Sequence, residues 1–434
     1  MAPRYHENST RWHRLILKRN FECVRKCDRV KGFDHVCPWD IHWHRTGYAS
    51  GQFNEFLELK QAYRAEDLRE FNGESVVLID EDWQRSFRAG SPCEIDVLVS
   101  LYGGRDLEAG TLEWRLEGES GVLLNGVLGG LTAPDGAVAT AIRLRFTWPN
   151  VDQALKVVLY MRLQGDGYDL TNHWDFWVFP QDSPPLVTAA ADDDARQLLA
   201  DRYVHLTSIA EQPQATLRIV RELTHADAQH LANGGDVVLF GCEPFPSRPT
   251  SFQIGVAGRA MYDLATVIND HPIFKHLPHE GWCDWQFQSL MREGDGYAFN
   301  FYRDWKFSDE QRKGDVRCVV FNNLPVDFGP ILEVASSYKQ VRLQALLWEV
   351  LTDGGRLFVC SCHIDMNDPA TVAMLDGIME YVTGDAFRPK VKTTVAGLIL
   401  PLLDGRNRRE TLIETDKAAY VRTRVRSSRR RRPR

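Results

Sequence analysis

The chain has 434 residues, 44% of them apolar and 26% charged, a balance that excludes wholesale disorder, collagen-like repeats and a membrane helix bundle. At about 100–200 residues per domain, the length predicts two or three domains with cores of their own. The net charge of −7 is uneven: Met1–Lys31 holds nine Lys/Arg against three Asp/Glu, Arg422–Arg434 holds eight Arg and no acid, and the other 390 residues carry −21. An acidic body disfavours nucleic acid as a partner of the folded part.

The basic segment 1–31 comes first. It lacks the apolar stretch of a secretory signal, and no window of the chain approaches the ~18 apolar residues of a membrane span. The compartment cannot be read from it. Cys23, Cys27, His35 and Cys37 are zinc-type ligands, but their spacing matches no paired zinc-knuckle pattern. No metal and no cofactor are expected. Nine scattered cysteines, an odd number, predict reduced buried thiols and not a disulfide scaffold.

Gly32–Lys60 follows, with Trp39, Asp40, His42, Trp43 and His44 crowded into six positions. Aromatic rings stack on the apolar faces of sugars and carboxylates bind hydroxyls. Trp39, Asp40, His42 and His44 are therefore candidate carbohydrate-binding residues, although the same mix suits a strand end packed on a neighbour.

Between Ser91 and Pro180 the pattern has period two. Ile95, Val97, Val99 and Leu101 alternate with polar residues, as do Leu112, Trp114 and Leu116, then Ile142, Leu144 and Phe146. Such runs, broken by Gly, Asp and Pro, predict an antiparallel immunoglobulin-like β-sandwich with one wet face. Pro180–Pro185 reads as a linker.

Beyond it, strands alternate with helices, which predicts an α/β domain with a largely parallel sheet. Asp192–Tyr203 has helical spacing. Thr224 is placed to cap a helix, with Asp227 at the third position and Gly234-Gly235 as the stop. Asp236–Phe240 and Arg356–Cys362 read as buried strands, and Asp368-Pro369 starts a helix ending at Gly384. Cys242 follows a buried strand, as a nucleophile at an elbow would, but Pro244 and Pro246 favour a loop there. Cys360 and Cys362 read as core residues. His271–Phe274 and Trp282–Trp285 form an aromatic cluster suited to domain packing, with glycan stacking over Trp282–Trp305 as the alternative. No phosphate-binding loop, G-x-S-x-G elbow or H-E-x-x-H helix appears. The arginine-rich 404–434 is expected to stay outside any core.

Several blocks in this order resemble glycoside hydrolase family 2, the β-galactosidase-like enzymes. Gly32–Lys60 is similar to their last barrel strand and following helix. Leu68–Leu78, Phe87–Gly90, Val99-Ser100, Leu112–Trp114 and Asn172–Pro180 resemble the sandwich that follows the barrel. His271-Pro272, Asp284–Gln286, Leu324-Pro325, Pro330-Ile331 and Gly354–Ser361 resemble a C-terminal amidotransferase-like (flavodoxin-like) α/β domain. The resemblance implies five segments: a basic start (1–31), a remnant of the barrel end (32–84), the sandwich (85–182), the α/β domain (186–403) and a basic tail (404–434). It also implies Trp39 and Asp40 at a sugar pocket's rim, with His42 and His44 nearby. The family's catalytic glutamates lie on barrel strands without counterpart here, so no catalytic residue is expected. The expected role is a non-catalytic module pair in β-galactoside-type degradation, its partner a carbohydrate or a missing catalytic barrel. An enzyme with its site in the α/β domain, or a glycan-binding module, is the alternative.

Overall fold

The structure is a computed structural model that describes residues 2–28, 30, 32–35, 38–40, 51–80, 84–181, 183–250, 266–291, 316–335 and 342–405. It is a multidomain, β-rich fold with few helices. Predictions for His42, His44, Cys37 and the tail beyond 405 fall outside the described residues.

Helix α1 (Ala2–Arg25) opens the chain and α2 (Ala65–Asn72) follows. Between them, residues 51–64 form turns with isolated bridges at Phe53 and Leu59. Leu17 and Phe21 of α1 pack with Tyr63 and Phe71. Helix α1 also spans two neighbours. Near its start, Arg4 Nη2 donates to the carbonyl of Ile268 and Asn8 Nδ2 to that of Thr266, at 2.9 and 2.7 Å. Near its end, Glu22 accepts from Asn172 and Trp174, and Arg25 donates to the carbonyl of Glu74.

Eight strands come next: β1 (Val76–Asp80), β2 (Ser86–Arg88), β3 (Pro92–Leu101), β4 (Leu107–Gly118), β5 (Gly121–Ala133), β6 (Ala137–Thr147), β7 (Leu155–Gly165) and β8 (Tyr168–Phe179). They form a sheet β1-β3-β6 and a sheet β2-β8-β7-β4-β5. Alternation decides the core: Val97, Val99, Leu112, Leu116, Leu159, Met161, Phe176 and Val178 meet in one cluster, as period-two side chains must when two sheets stack. The opposite face is not wet throughout. Trp177 and Phe179 of β8 are 1% exposed and belong to the next unit's core, together with Trp12 of α1.

The third sheet holds β9 (Ala189–Ala191), β10 (Leu206–Ser208), β11 (Leu217–Val220), β12 (Asp236–Phe240), β13 (Ser247–Pro249), β14 (Thr266–Ile268), β15 (Arg317–Val320), β16 (Pro330–Val334), β17 (Gln344–Leu351) and β18 (Arg356–Cys360). Five strands run parallel in the order β10-β9-β11-β12-β18, and β17 then turns antiparallel. Helices α3 (Asp193–Leu199), α4 (His225–Ala232) and α5 (Pro369–Thr383) accompany them. Val238, Phe240, Phe358 and Cys360 face one core, while Val237, Leu239, Leu357 and Val359 face another. Covering on both faces explains why these strands are apolar without a break. The caps lie where the sequence puts them. Thr224 and Asp227 form a reciprocal capping box, and Asp368 accepts from Thr371 N ahead of a proline at the first turn.

Candidate functional site

The described residues include a cleft of about 360 Å³ where α1, α2, β8 and the segment Glu280–Trp285 converge. Helix periodicity brings Arg11, Arg14, Leu15, Lys18 and Glu22 of α1 to one wall, since residues three and four apart share a face. Asp67, Glu70 and Phe71 come from α2, His173, Trp174 and Asp175 from β8, and Glu280, Trp282 and Trp285 from the α/β side. Five Lys/Arg and five Asp/Glu line it, so the wall is electrically balanced.

The charges are laced together. Lys18 Nζ lies 3.3 Å from Glu22 Oε1 and 3.9 Å from Glu70 Oε2, and 5.3 Å from the Trp174 ring centre. His173 Nδ1 is 2.7 Å from Glu70 Oε2. Arg14 pairs with Asp67. Lys156 Nζ sits between Asp175 Oδ2 (3.1 Å) and Glu280 Oε1 (3.2 Å), and Arg11 reaches Glu280 at 3.3 Å. Burial works against the Lys156 charge, but the two carboxylates outweigh it and hold the ammonium above its ordinary range. Behind this layer lies Asp284, 4% exposed. Burial pushes its carboxyl up to about 8, against the pull of Lys156 and of Gln286, whose backbone N–H it accepts.

Aromatic surface completes the wall. Trp285 meets Trp12 edge-on with ring centres 6.1 Å apart. Trp282 is 7% exposed, and its indole N–H is buried without a hydrogen-bond acceptor among the described residues. An unmet buried donor costs about 1–3 kcal/mol, and here it belongs to a residue that lines the cleft. Ion-paired carboxylates, balanced charge and aromatic rings suit a neutral polyhydroxylated ligand, which offers hydroxyls to the first and C–H faces to the last.

Trp39 and Asp40 are not part of this cleft. Trp39 is 45% exposed and bridges to Phe53. Asp40 Oδ1 accepts from Gly51 N at 3.0 Å and from Lys60 Nζ at 2.7 Å, so its carboxylate ties the segment together. The cleft residues share no local sequence pattern, because they come from five separate segments. The Trp282–Trp285 aromatic cluster was the one signal that pointed to them.

Cys242 is buried, and burial pushes its thiol up although Ser247 and Arg317 pull the other way. That shift opposes nucleophilic use. Cys360 and Cys362 are core residues. Cys23 and Cys27 are buried, and among the described residues no three His, Cys, Asp or Glu side chains group to hold a metal ion. No helix among the described residues is long and apolar enough to cross a membrane.

Residues 92–180 match the family described as Domain of unknown function (DUF8488), and residues 295–399 match Domain of unknown function (DUF8487). No curated protein matches the chain. Among solved structures, the chain is similar to the sporulation control protein Spo0M of Bacillus subtilis, with 15% identity, 24% of this chain and 48% of that one covered, and a TM-score of 0.19. It is similar to a family 123 glycoside hydrolase from Clostridium perfringens, with 10% identity, coverage of 27% and 30%, and a TM-score of 0.20. A β-glucuronidase from Parabacteroides merdae gives 11% identity, coverage of 38% and 24%, and a TM-score of 0.18. The matched parts span less than half of each of these proteins. Solved neighbours thus include glycoside hydrolases, at low identity and partial coverage. Overlaps of this size define no common fold, and nothing about activity passes across them.

Proposed function

We propose that this chain is a non-catalytic carbohydrate-recognition unit, the C-terminal portion of a family 2, β-galactosidase-like protein. In this reading it is an immunoglobulin-like sandwich followed by an amidotransferase-like (flavodoxin-like) α/β domain. The observation that carries it is the cleft at α1, where Trp174, Trp282 and Trp285 line the same wall as ion-paired carboxylates. What supports the sandwich reading is the packing of the sheets β1-β3-β6 and β2-β8-β7-β4-β5 on one shared core. The parallel order β10-β9-β11-β12-β18 follows the doubly wound 2-1-3-4-5 pattern.

A non-catalytic α/β domain fits the state of its switch point. In such sheets ligands enter between the carboxyl ends of the strands where the order reverses, here between β9 and β11. Asp192 stands there and spans it, accepting from Ala195 N and from Arg221 N, both at 2.7 Å. The crevice is laced by a side chain that also caps α3. In the cleft the surface carboxylates are tied to Lys and Arg, an arrangement for holding hydroxyls and not for delivering a proton. Trp39, Asp40, His42 and His44 are proposed as a separate sugar contact.

The test is titration of the purified chain with neutral oligosaccharides, β-galactosides first, by calorimetry. Trp282→Ala removes an aromatic ring from the cleft wall and should weaken binding by up to about tenfold. Trp39→Ala should leave that binding unchanged. Absence of binding to any neutral glycan overturns the reading, as does turnover of aryl β-galactosides that depends on a carboxylate of this chain.

A further inference from the structure

Strand β5 reads Gly-Val-Leu-Leu-Asn-Gly-Val-Leu-Gly-Gly-Leu-Thr-Ala, thirteen residues with no charge and no proline. It pairs with β4 along one side, and among the described residues nothing pairs with the other. Exposed sheet edges are normally blunted by charge, proline or shortness, because an open edge templates another strand. Two other edges of this sandwich follow that rule. Strand β2 is three residues long, and β6 carries Arg143 and Arg145, paired with Asp96 and Glu94. Strand β5 has no such protection, and its Val122 and Val127 are 50% and 67% exposed.

The sheet containing β5 has five strands and the facing sheet three. The five-stranded sheet therefore overhangs at this side, leaving Leu124, Leu128 and Trp114 only partly buried on the inner face. We propose that a second copy of this chain covers the edge, pairing β5 antiparallel with β5 about a two-fold axis. Charge selects this occupant. The body is acidic overall, so two copies repel across most surfaces, whereas β5 against β5 brings no charged side chains of the strand together. The strand is also self-complementary. An axis at Gly126 sets Leu124 opposite Leu128 of the second copy, and Leu128 opposite Leu124, on the inner face. Period two keeps Asn125 and Val127 facing each other outside. Gly126 is pinned by its own fold, since a Cβ there would lie 2.6 Å from Trp114 Nε1. The product is a ten-stranded sheet continuous through an isologous dimer.

Sedimentation equilibrium of the full chain tests this. The wild type should sediment at twice 49.6 kDa at micromolar concentration. The double variant Asn125→Lys/Val127→Lys puts two cations on the outer face of the edge and should sediment as a monomer. Its circular dichroism should stay unchanged, because neither side chain enters the core. A monomeric wild type overturns the proposal, and so does a variant that folds normally and remains dimeric.

Discussion

Trp174 donates its indole N–H to both carboxylate oxygens of Glu22, at 3.1 and 3.3 Å, and so fastens helix α1 to strand β8 across 152 residues of sequence. Glu22 is 2% exposed and also accepts from Asn172 Nδ2 at 3.1 Å, with Lys18 at 3.3 Å. One buried carboxylate thus satisfies two buried donors and faces an ammonium. Glu22→Ala should destabilise the chain by about 3–5 kcal/mol, the range for removing one partner of a buried charged pair. Urea unfolding measures it, and a loss below 1 kcal/mol would show that α1 is held by its apolar contacts alone.

Asp284 makes stability depend on pH. Its carboxyl titrates near 8 in the fold and near 3.8 in the unfolded chain. Between these values the native state binds the extra proton, so stability falls as pH rises from about 4 to about 8, by at most about 1.4 kcal/mol per pH unit. Asp284→Asn keeps an acceptor for Gln286 N and removes the titration. The variant should gain on the wild type between pH 5 and pH 8 in paired urea titrations. A constant difference across that range would mean that Asp284 stays ionised.

His13 acts in the opposite direction. Burial pulls its pKa down to about 4, with Lys60 and His35 adding to the effect, and its Nδ1 meets the Tyr63 hydroxyl. The unfolded chain binds the proton first, so the stabilising contribution is complete above about pH 6.5. It is lost as pH falls towards 4, a change of about 1–3 kcal/mol. His13→Gln should flatten the acid limb of the stability profile. An unaltered limb would assign the acid sensitivity to other groups.

Gly377 lies in α5, where a Cβ would sit 2.0 Å from the carbonyl oxygen of Ile273. Alanine in a helix normally gains about 1 kcal/mol over glycine. Here the neighbour is backbone and cannot swing aside, so overpacking of about 1–3 kcal/mol decides the sign. Gly377→Ala should lower the melting temperature by several degrees, whereas a rise would mean that the contact between α5 and Pro272–Phe274 relaxes freely.

Much of the secondary structure was legible because its causes are local. Alternation over Ile95–Leu101 and Leu112–Leu116 marks strands whatever they pack against, and the Thr224/Asp227 and Asp368-Pro369 caps are chosen by neighbours three residues away. Other features resisted. Met1–Lys31 read as a charge-rich segment, yet α1 carries Trp12, Leu17 and Phe21 into two cores. Its charges are absorbed by Asp67, Glu70 and Glu280, which no local pattern links to it.

The sequence by itself determined the grammar: period-two strands up to Phe179, and alternating strands and helices from Ala189 onward. It did so because backbone geometry sets those periods before any long-range contact forms. Only the tertiary structure decided that Trp177 and Phe179 turn away from their own sandwich, and that Lys18, Glu70, His173 and Trp282 share one cleft. Those cleft side chains meet through packing between segments more than fifty residues apart, and their spacing in the chain carries no trace of it.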